Sequence, residues 1–106
     1  MITFEEFKKI DLLTARIIEA REHPGADRLY VLIVDTGEEK KQIVAGIRNA
    51  YTLDELVGKM VVVANNLEPV TIRGEESFGM LLAAGSEGGP VLLVPEKEVS
   101  CGTKIK

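Results

Sequence analysis

Leu12-Leu13-Thr14-Ala15-Arg16-Ile17-Ile18-Glu19-Ala20-Arg21-Glu22 reads as one long strand that changes phase part-way along. Leu13, Ala15 and Ile17 share one face, after which Ile18 and Ala20 take over the apolar series. Side chains alternate with a period of two, so a phase slip inside a strand calls for an extra residue, a β-bulge, and a bulge bends the strand. A bent strand can take part in both sides of a closed sheet.

The neighbouring segments suit such closure. His23 to Asp27 is a turn, and Leu29 to Asp35 is a second strand, apolar enough to be buried along most of its length. Thr36-Gly37-Glu38-Glu39 turns back into a third strand, Lys41 to Ala45, which makes the pair a hairpin. Thr52-Leu53-Asp54-Glu55 has the spacing of a capping box and opens a short helix that Gly58 stops. Met60 to Ala64, Leu81 to Ala84 and Val91 to Val94 complete six strands, the last two joined by a turn over Gly85 to Gly89. At the start, Thr3-Phe4-Glu5-Glu6 is a second capping box; Phe4, Phe7 and Ile10 lie on one side of a helix too short to stand alone. After Pro95, the tail to Lys106 carries Val99 and Ile105 as anchors around Gly102. The expected fold is all-β: an OB-type barrel with short helices and an added C-terminal strand or tail. An open sandwich of the same strands is the alternative.

Residues 1–106 are expected to form a single domain, in which roughly two-thirds of the unfolded chain's surface can be buried. Apolar residues make up 45% of the chain, enough for a core without metal or disulfide staples. The single cysteine, Cys101, can form no intramolecular disulfide, which fits a reducing compartment. Phe4 is followed at once by Glu5, Glu6, Lys8 and Lys9, so no signal segment is expected. No apolar run approaches the roughly 18 residues of a spanning helix, so neither is a membrane. A net charge of −4 counts against broad, sequence-blind attachment to nucleic acid but leaves room for a small basic patch.

The connection Asn66-Leu67-Glu68-Pro69-Val70-Thr71-Ile72-Arg73-Gly74-Glu75-Glu76-Ser77-Phe78-Gly79-Met80 is too long for a simple hairpin, and loops beyond about twelve residues are usually functional or disordered. Its apolar anchors, among them Leu67, Pro69, Ile72 and Phe78, argue for a binding loop pinned to the barrel. Gly74 allows a backbone turn that projects the Arg73 guanidinium, a group suited to phosphate and to stacking on a base. Ser77 can donate to a phosphate or ribose hydroxyl, or cap the loop. Met80 packs softly on a flat apolar surface or fills the core. Asn66 adds hydrogen-bonding capacity, and Arg28 either shares the patch or pairs with Asp27.

Catalysis is not expected. His23 precedes Pro24 in a turn and reads as solvent-facing, Cys101 has no sequence-adjacent base, and a hydrolase built on Ser77 lacks a nearby His or Lys. No metal ligand set and no phosphate-cradling glycine motif stands out, so no cofactor is expected. With three Phe, two Tyr and no Trp, an aromatic platform for single strands is poorly supplied, and a folded RNA read by shape and backbone fits better.

Taken as an ordered set, His23-Pro24-Gly25-Ala26-Asp27-Arg28-Leu29-Tyr30, Val44-Ala45-Gly46, Asn66-Leu67-Glu68-Pro69, Ile72-Arg73-Gly74 and Ser77-Phe78-Gly79-Met80-Leu81-Leu82-Ala83-Ala84 resemble the dimeric tRNA-binding domain family. That family includes the C-terminal domain or beta subunit of methionyl-tRNA synthetase, free-standing tRNA-binding proteins and CsaA-type secretion chaperones. The resemblance covers the chain nearly end to end. It implies an OB-fold homodimer in the cytoplasm that binds the outer corner of tRNA without catalysing a reaction, working with the methionyl-tRNA synthetase catalytic chain. The recognition residues it implies are Arg73, Ser77 and Met80, supported by Asn66 and Arg28. Relatives often carry lysines just before the Ile-Arg-Gly stretch, where this chain has Val70 and Thr71. A peptide-binding chaperone on the same fold is the alternative function. The N-terminal helix, the Tyr51–Leu56 segment and the C-terminal tail are the expected sources of a twofold contact.

Overall fold

The computed structural model describes residues 1–106. Its elements are α1 (Phe4–Phe7), β1 (Leu12–Glu22), β2 (Tyr30–Asp35), β3 (Lys40–Ala45), α2 (Leu53–Leu56), β4 (Met60–Ala64), β5 (Val70–Ile72), β6 (Glu75–Ser77), β7 (Met80–Leu81), β8 (Ala83–Ser86) and β9 (Gly89–Leu92). Five strands form one sheet in the order β3-β2-β1-β4-β7. Every pairing in it is antiparallel.

The phase change in β1 is a real break in register. Ile17 pairs with Val34, and the next pair is Glu19 with Ile33, so the strand shifts by one residue between them. Before that shift, Leu12 to Arg16 pair with β4; after it, β1 stays with β2 alone as far as Glu22. The bulge therefore turns one strand from one wall of the cylinder into the next. Closure on the far side uses β6 and the residues after it. The Phe78 N–H donates to the Gln42 carbonyl of β3 at 2.9 Å, and the Val44 N–H donates to Ser77 Oγ at 3.0 Å. The result is the nearly closed barrel of an OB fold.

Ala15, Ile17, Leu32, Val34, Ile43, Val61 and Val63 line the interior, and Leu56 of α2 plugs it. Each of the valine, isoleucine and leucine side chains contributes roughly 1.5–3 kcal/mol by leaving water. Leu56 is fully buried, and Tyr51 and Leu53 pack against the same core. The Tyr51–Leu56 segment is thus largely consumed by the chain's own interior, against the expectation that it would help meet a second copy. Tyr51 also ties β2 to β9: its carbonyl accepts from Tyr30 Oη at 2.7 Å, and its hydroxyl accepts from the Leu92 N–H at 3.0 Å.

Both capping boxes form, on Thr3 with Glu6 and on Thr52 with Glu55. The Thr52 backbone N–H holds the Glu55 carboxyl below its ordinary value. The tail adds to the free side of β1. Leu13 bridges Lys104, and the buried Thr14 hydroxyl donates to the Ser100 carbonyl while accepting from the Thr103 N–H. Gly37 and Gly102 face each other there, both at positive φ; a side chain at Gly37 would meet the Cys101 carbonyl oxygen at 2.8 Å. Lys104 donates to Asp11 at 2.8 Å and, with Asn65, holds that carboxyl below its ordinary value. No helix is long and apolar enough to cross a membrane.

Candidate nucleic-acid interface

The long connection after β4 contains a hairpin, contrary to its reading as a single loop. Val70, Thr71 and Ile72 pair with Ser77, Glu76 and Glu75, leaving Arg73-Gly74 as a two-residue turn. Both turn residues have positive φ, 52° at Arg73 and 87° at Gly74. That is the conformation whose twist matches paired strands, and Asn-Gly or Gly-Gly would adopt it more comfortably. Arginine in the left-handed region costs on the order of 1 kcal/mol. A residue held there against its preference, at an exposed tip, points to function over stability.

Polar groups bind this hairpin to the barrel. Gln42 of β3 donates to the Glu76 carbonyl at 3.0 Å, and Arg21 of β1 reaches Glu75 at 2.8 Å. Glu75 is thereby turned toward the barrel and away from Arg73. The second arginine sits on the His23–Leu29 turn, which is closed by the His23 N–H donating to the Leu29 carbonyl at 3.1 Å. Arg48 braces this turn from the side, donating to the Ala26 carbonyl at 3.1 Å and to Glu22 at 2.9 Å.

The two turns meet. Gly25, Ala26, Asp27, Arg28, Leu29 and Arg73 line a depression of about 370 Å³. Of the five arginines in the chain, Arg16, Arg21 and Arg48 are paired with carboxylates. Arg28 and Arg73 are the two without an ion pair, and they share this depression. Arg28 forms no bridge to Asp27. On an acidic chain, two guanidiniums without ion pairs on one depression leave their donors available for charge-assisted hydrogen bonds to an anion.

The other expected site residues fall elsewhere. Met80 is half exposed on β7, beyond the base of the hairpin, and does not fill the core. Ser77 is 2% exposed; its hydroxyl accepts from the Val44 N–H and donates to the Gly79 carbonyl at 3.0 Å. It closes the barrel, and it has no hydrogen left to offer a phosphate. Asn66 accepts from the Asp11 N–H at 2.8 Å and donates to the Lys9 carbonyl at 2.7 Å, so it latches the exit of α1 to the end of β4. His23, expected to face solvent, is 2% exposed with both ring nitrogens engaged. Neither this ring nor the Ser77 hydroxyl is free to act as base or nucleophile. No group of three His, Cys, Asp or Glu is placed to hold a metal ion.

A small OB barrel with two arginine-bearing turns on one edge has the general build of the barrels that take oligonucleotides. Residues 12–104 match the family described as "Putative tRNA binding domain", and the chain belongs to that family. Methionine–tRNA ligase of Methanothrix thermoacetophila is 54% identical over 106 residues, all of this chain and 16% of that protein. The same enzyme of Thermococcus kodakarensis is 50% identical over 105 residues, 99% of this chain and 14% of that protein. The chain thus spans about one-seventh of the length of these relatives. Among solved structures, a MetRS-related protein from Pyrococcus horikoshii superposes with a TM-score of 0.93 at 33% identity, covering 100% of this chain and 98% of that one. The chaperone CsaA of Bacillus anthracis superposes at 0.90 and 33% identity, covering 100% and 99%.

Proposed function

We propose that this domain binds folded tRNA at its outer corner, by shape and backbone contacts, and that it assists a methionyl-tRNA synthetase by holding tRNA near the catalytic chain. The observation that carries the reading is the convergence of Arg28 and Arg73, the two arginines without a carboxylate partner, on one depression between two braced turns. Exposed Met80, with Leu67 and Val70, supplies an apolar ledge beyond the hairpin base for a flat base-pair surface. Ser77 and Asn66 serve this site indirectly, by fixing the barrel edge and the strand that lead into the hairpin. Recognition of this kind gives modest affinity that tethering to a synthetase raises through effective concentration. A gel shift with a folded tRNA and an unstructured RNA of equal length tests it: preference for the folded RNA is expected, and equal or absent binding to both defeats it.

The functional unit in this reading is a homodimer. Val91, Leu93 and Val94 are exposed beside the uncovered β8 strand, a run of apolar surface suited to a second copy. Sedimentation at micromolar concentration is expected to give twice the 11.6 kDa chain mass.

The likeness to CsaA chaperones favours a second reading, in which the same apolar surface takes unfolded polypeptide. Salt separates the two. Phosphate contacts lose affinity steeply as salt rises, whereas apolar peptide binding does not.

A further inference from the structure

The buried His23 ring joins the two turns that carry Arg28 and Arg73. The Gly25 N–H donates to Nδ1 at 2.9 Å. An amide can only donate, so Nδ1 carries the lone pair, and the ring proton of the neutral imidazole sits on Nε2. Nε2–H therefore donates to the Ile72 carbonyl at 2.9 Å, across 49 residues of sequence. Ile72 is the last strand residue before the Arg73-Gly74 turn. One side chain thus shapes the Arg28 turn through its acceptor nitrogen and holds the Arg73 hairpin through its donor nitrogen. Packing agrees: a methyl group placed on Gly25 would lie 3.5 Å from His23 Cε1 and 3.9 Å from the Arg73 carbonyl oxygen.

We infer that His23 is a positioning residue for RNA binding: a neutral, Nε2-protonated clamp that sets the spacing of the Arg28 and Arg73 guanidiniums before the ligand arrives. This rests on the RNA-binding reading above. Nothing else given by the fold requires a histidine here. The His23–Leu29 turn is already closed by its own backbone bond and by Arg48, and the hairpin is already held through Gln42 and Arg21. Among the side-chain hydrogen bonds, that of His23 ties one turn to the other. Fixing two cations at a set distance lets each contact form without ordering a loop first, and that ordering cost is what preorganisation removes.

The two nitrogens can be separated by substitution. His23→Gln keeps an amide N–H near the Nε2 position and can still hold Ile72. His23→Asn keeps an acceptor near Nδ1 for Gly25 and loses the reach to Ile72. In the unbound chain, nitrogen NMR of the ring is expected to show the Nε2–H tautomer. Amide exchange at Arg73 to Glu75 is expected to quicken in His23→Asn and to stay near the parent rate in His23→Gln. Affinity for folded tRNA is expected to fall about tenfold in His23→Asn with an unchanged salt slope, and to stay within about threefold of the parent in His23→Gln. An Nδ1–H tautomer, or hairpin-tip exchange unmoved in His23→Asn, overturns the clamp. So does tRNA affinity unmoved in His23→Asn when Arg73→Ala weakens it. If Arg73→Ala does not weaken tRNA binding either, the RNA reading is what fails, and tautomer and exchange still decide the clamp independently.

Discussion

The hairpins β5–β6 and β8–β9 are both short, two-stranded and outside the main sheet, and they differ in how much of each is tied down and in what each presents to solvent. β5–β6 is held by directional polar bonds: His23 to Ile72, Gln42 to Glu76, Arg21 to Glu75 and Val44 to Ser77. β8–β9 is held at its open end, where Leu92 is buried, its N–H reaches the Tyr51 hydroxyl, and Leu93 bonds the Leu82 carbonyl. Its strand β8 is exposed along its whole length. The first hairpin presents a cation at its tip; the second, with Leu93 and Val94 that follow it, presents an apolar surface. Hydrogen bonds fix direction, whereas apolar burial scales with area and is indifferent to it. In the proposed reading, the first meets a rigid polyanion and the second a protein surface.

The contrast can be broken at either end. The largest effect is expected on the apolar side. Leu93→Asp places a charge where the proposed twofold contact buries a side chain, and should weaken self-association by at least about a hundredfold. Sedimentation equilibrium reads the change, and unaltered association removes β8–β9 from the interface. On the polar side, replacing Arg28 and Arg73 together by alanine should lower tRNA affinity by roughly 30- to 100-fold and make the salt slope shallower by about two. Fluorescence anisotropy over a salt series measures both, with the melting temperature as a control expected to stay put.

A smaller effect separates structure from contact. Ser77→Ala leaves the buried Val44 N–H without its acceptor and should cost about 1–3 kcal/mol in urea unfolding. Its tRNA affinity under native conditions should stay within about twofold, since the hydroxyl faces inward. A large loss of binding with intact stability would return Ser77 to the interface. The smallest expected change has the opposite sign. Arg73→Gly relieves a left-handed arginine and should stabilise the fold by about 0.5–1 kcal/mol while weakening RNA binding. Thermal unfolding alongside binding reads this exchange of stability for function, and a destabilised Arg73→Gly would mean that the Arg73 stem packs on the barrel.

The barrel was legible because its signals are local. The β1 phase slip, the β2–β3 hairpin and both capping boxes are short-range patterns, and the structure keeps each of them. The prominence of Arg73-Gly74 was legible for the same reason. What sequence could not resolve is where side chains turn once distant strands meet. Ser77 looks like an exposed loop hydroxyl until β6 is laid beside β3, where the unpaired Val44 N–H claims it. His23 looks like a turn residue until Ile72 arrives from far along the chain. Asn66 looks like a binding group until Lys9 and Asp11 come alongside. In each case a backbone group out of sequence range engages a polar side chain that its own stretch of sequence leaves unpartnered. Arg48 carries no local signal of its bracing role, since its partners Ala26 and Glu22 lie 22 and 26 residues away. One signal was present: a histidine followed by Pro-Gly occupies a turn that gives it a neighbouring amide to accept from.

The tail carries a consequence for architecture. Ile105 donates its N–H to the Leu12 carbonyl at 2.9 Å, and Phe4, Phe7, Ile10, Ile105 and Lys106 border a single groove. First and last segments are therefore neighbours, so attaching further polypeptide at either one need not thread through the cylinder. Joining the two with a flexible bridge and opening the chain at Gly88 would give a permuted protein with all five sheet strands uncut. Connectivity and architecture are separable in this domain, a property that favours moving it intact between longer proteins.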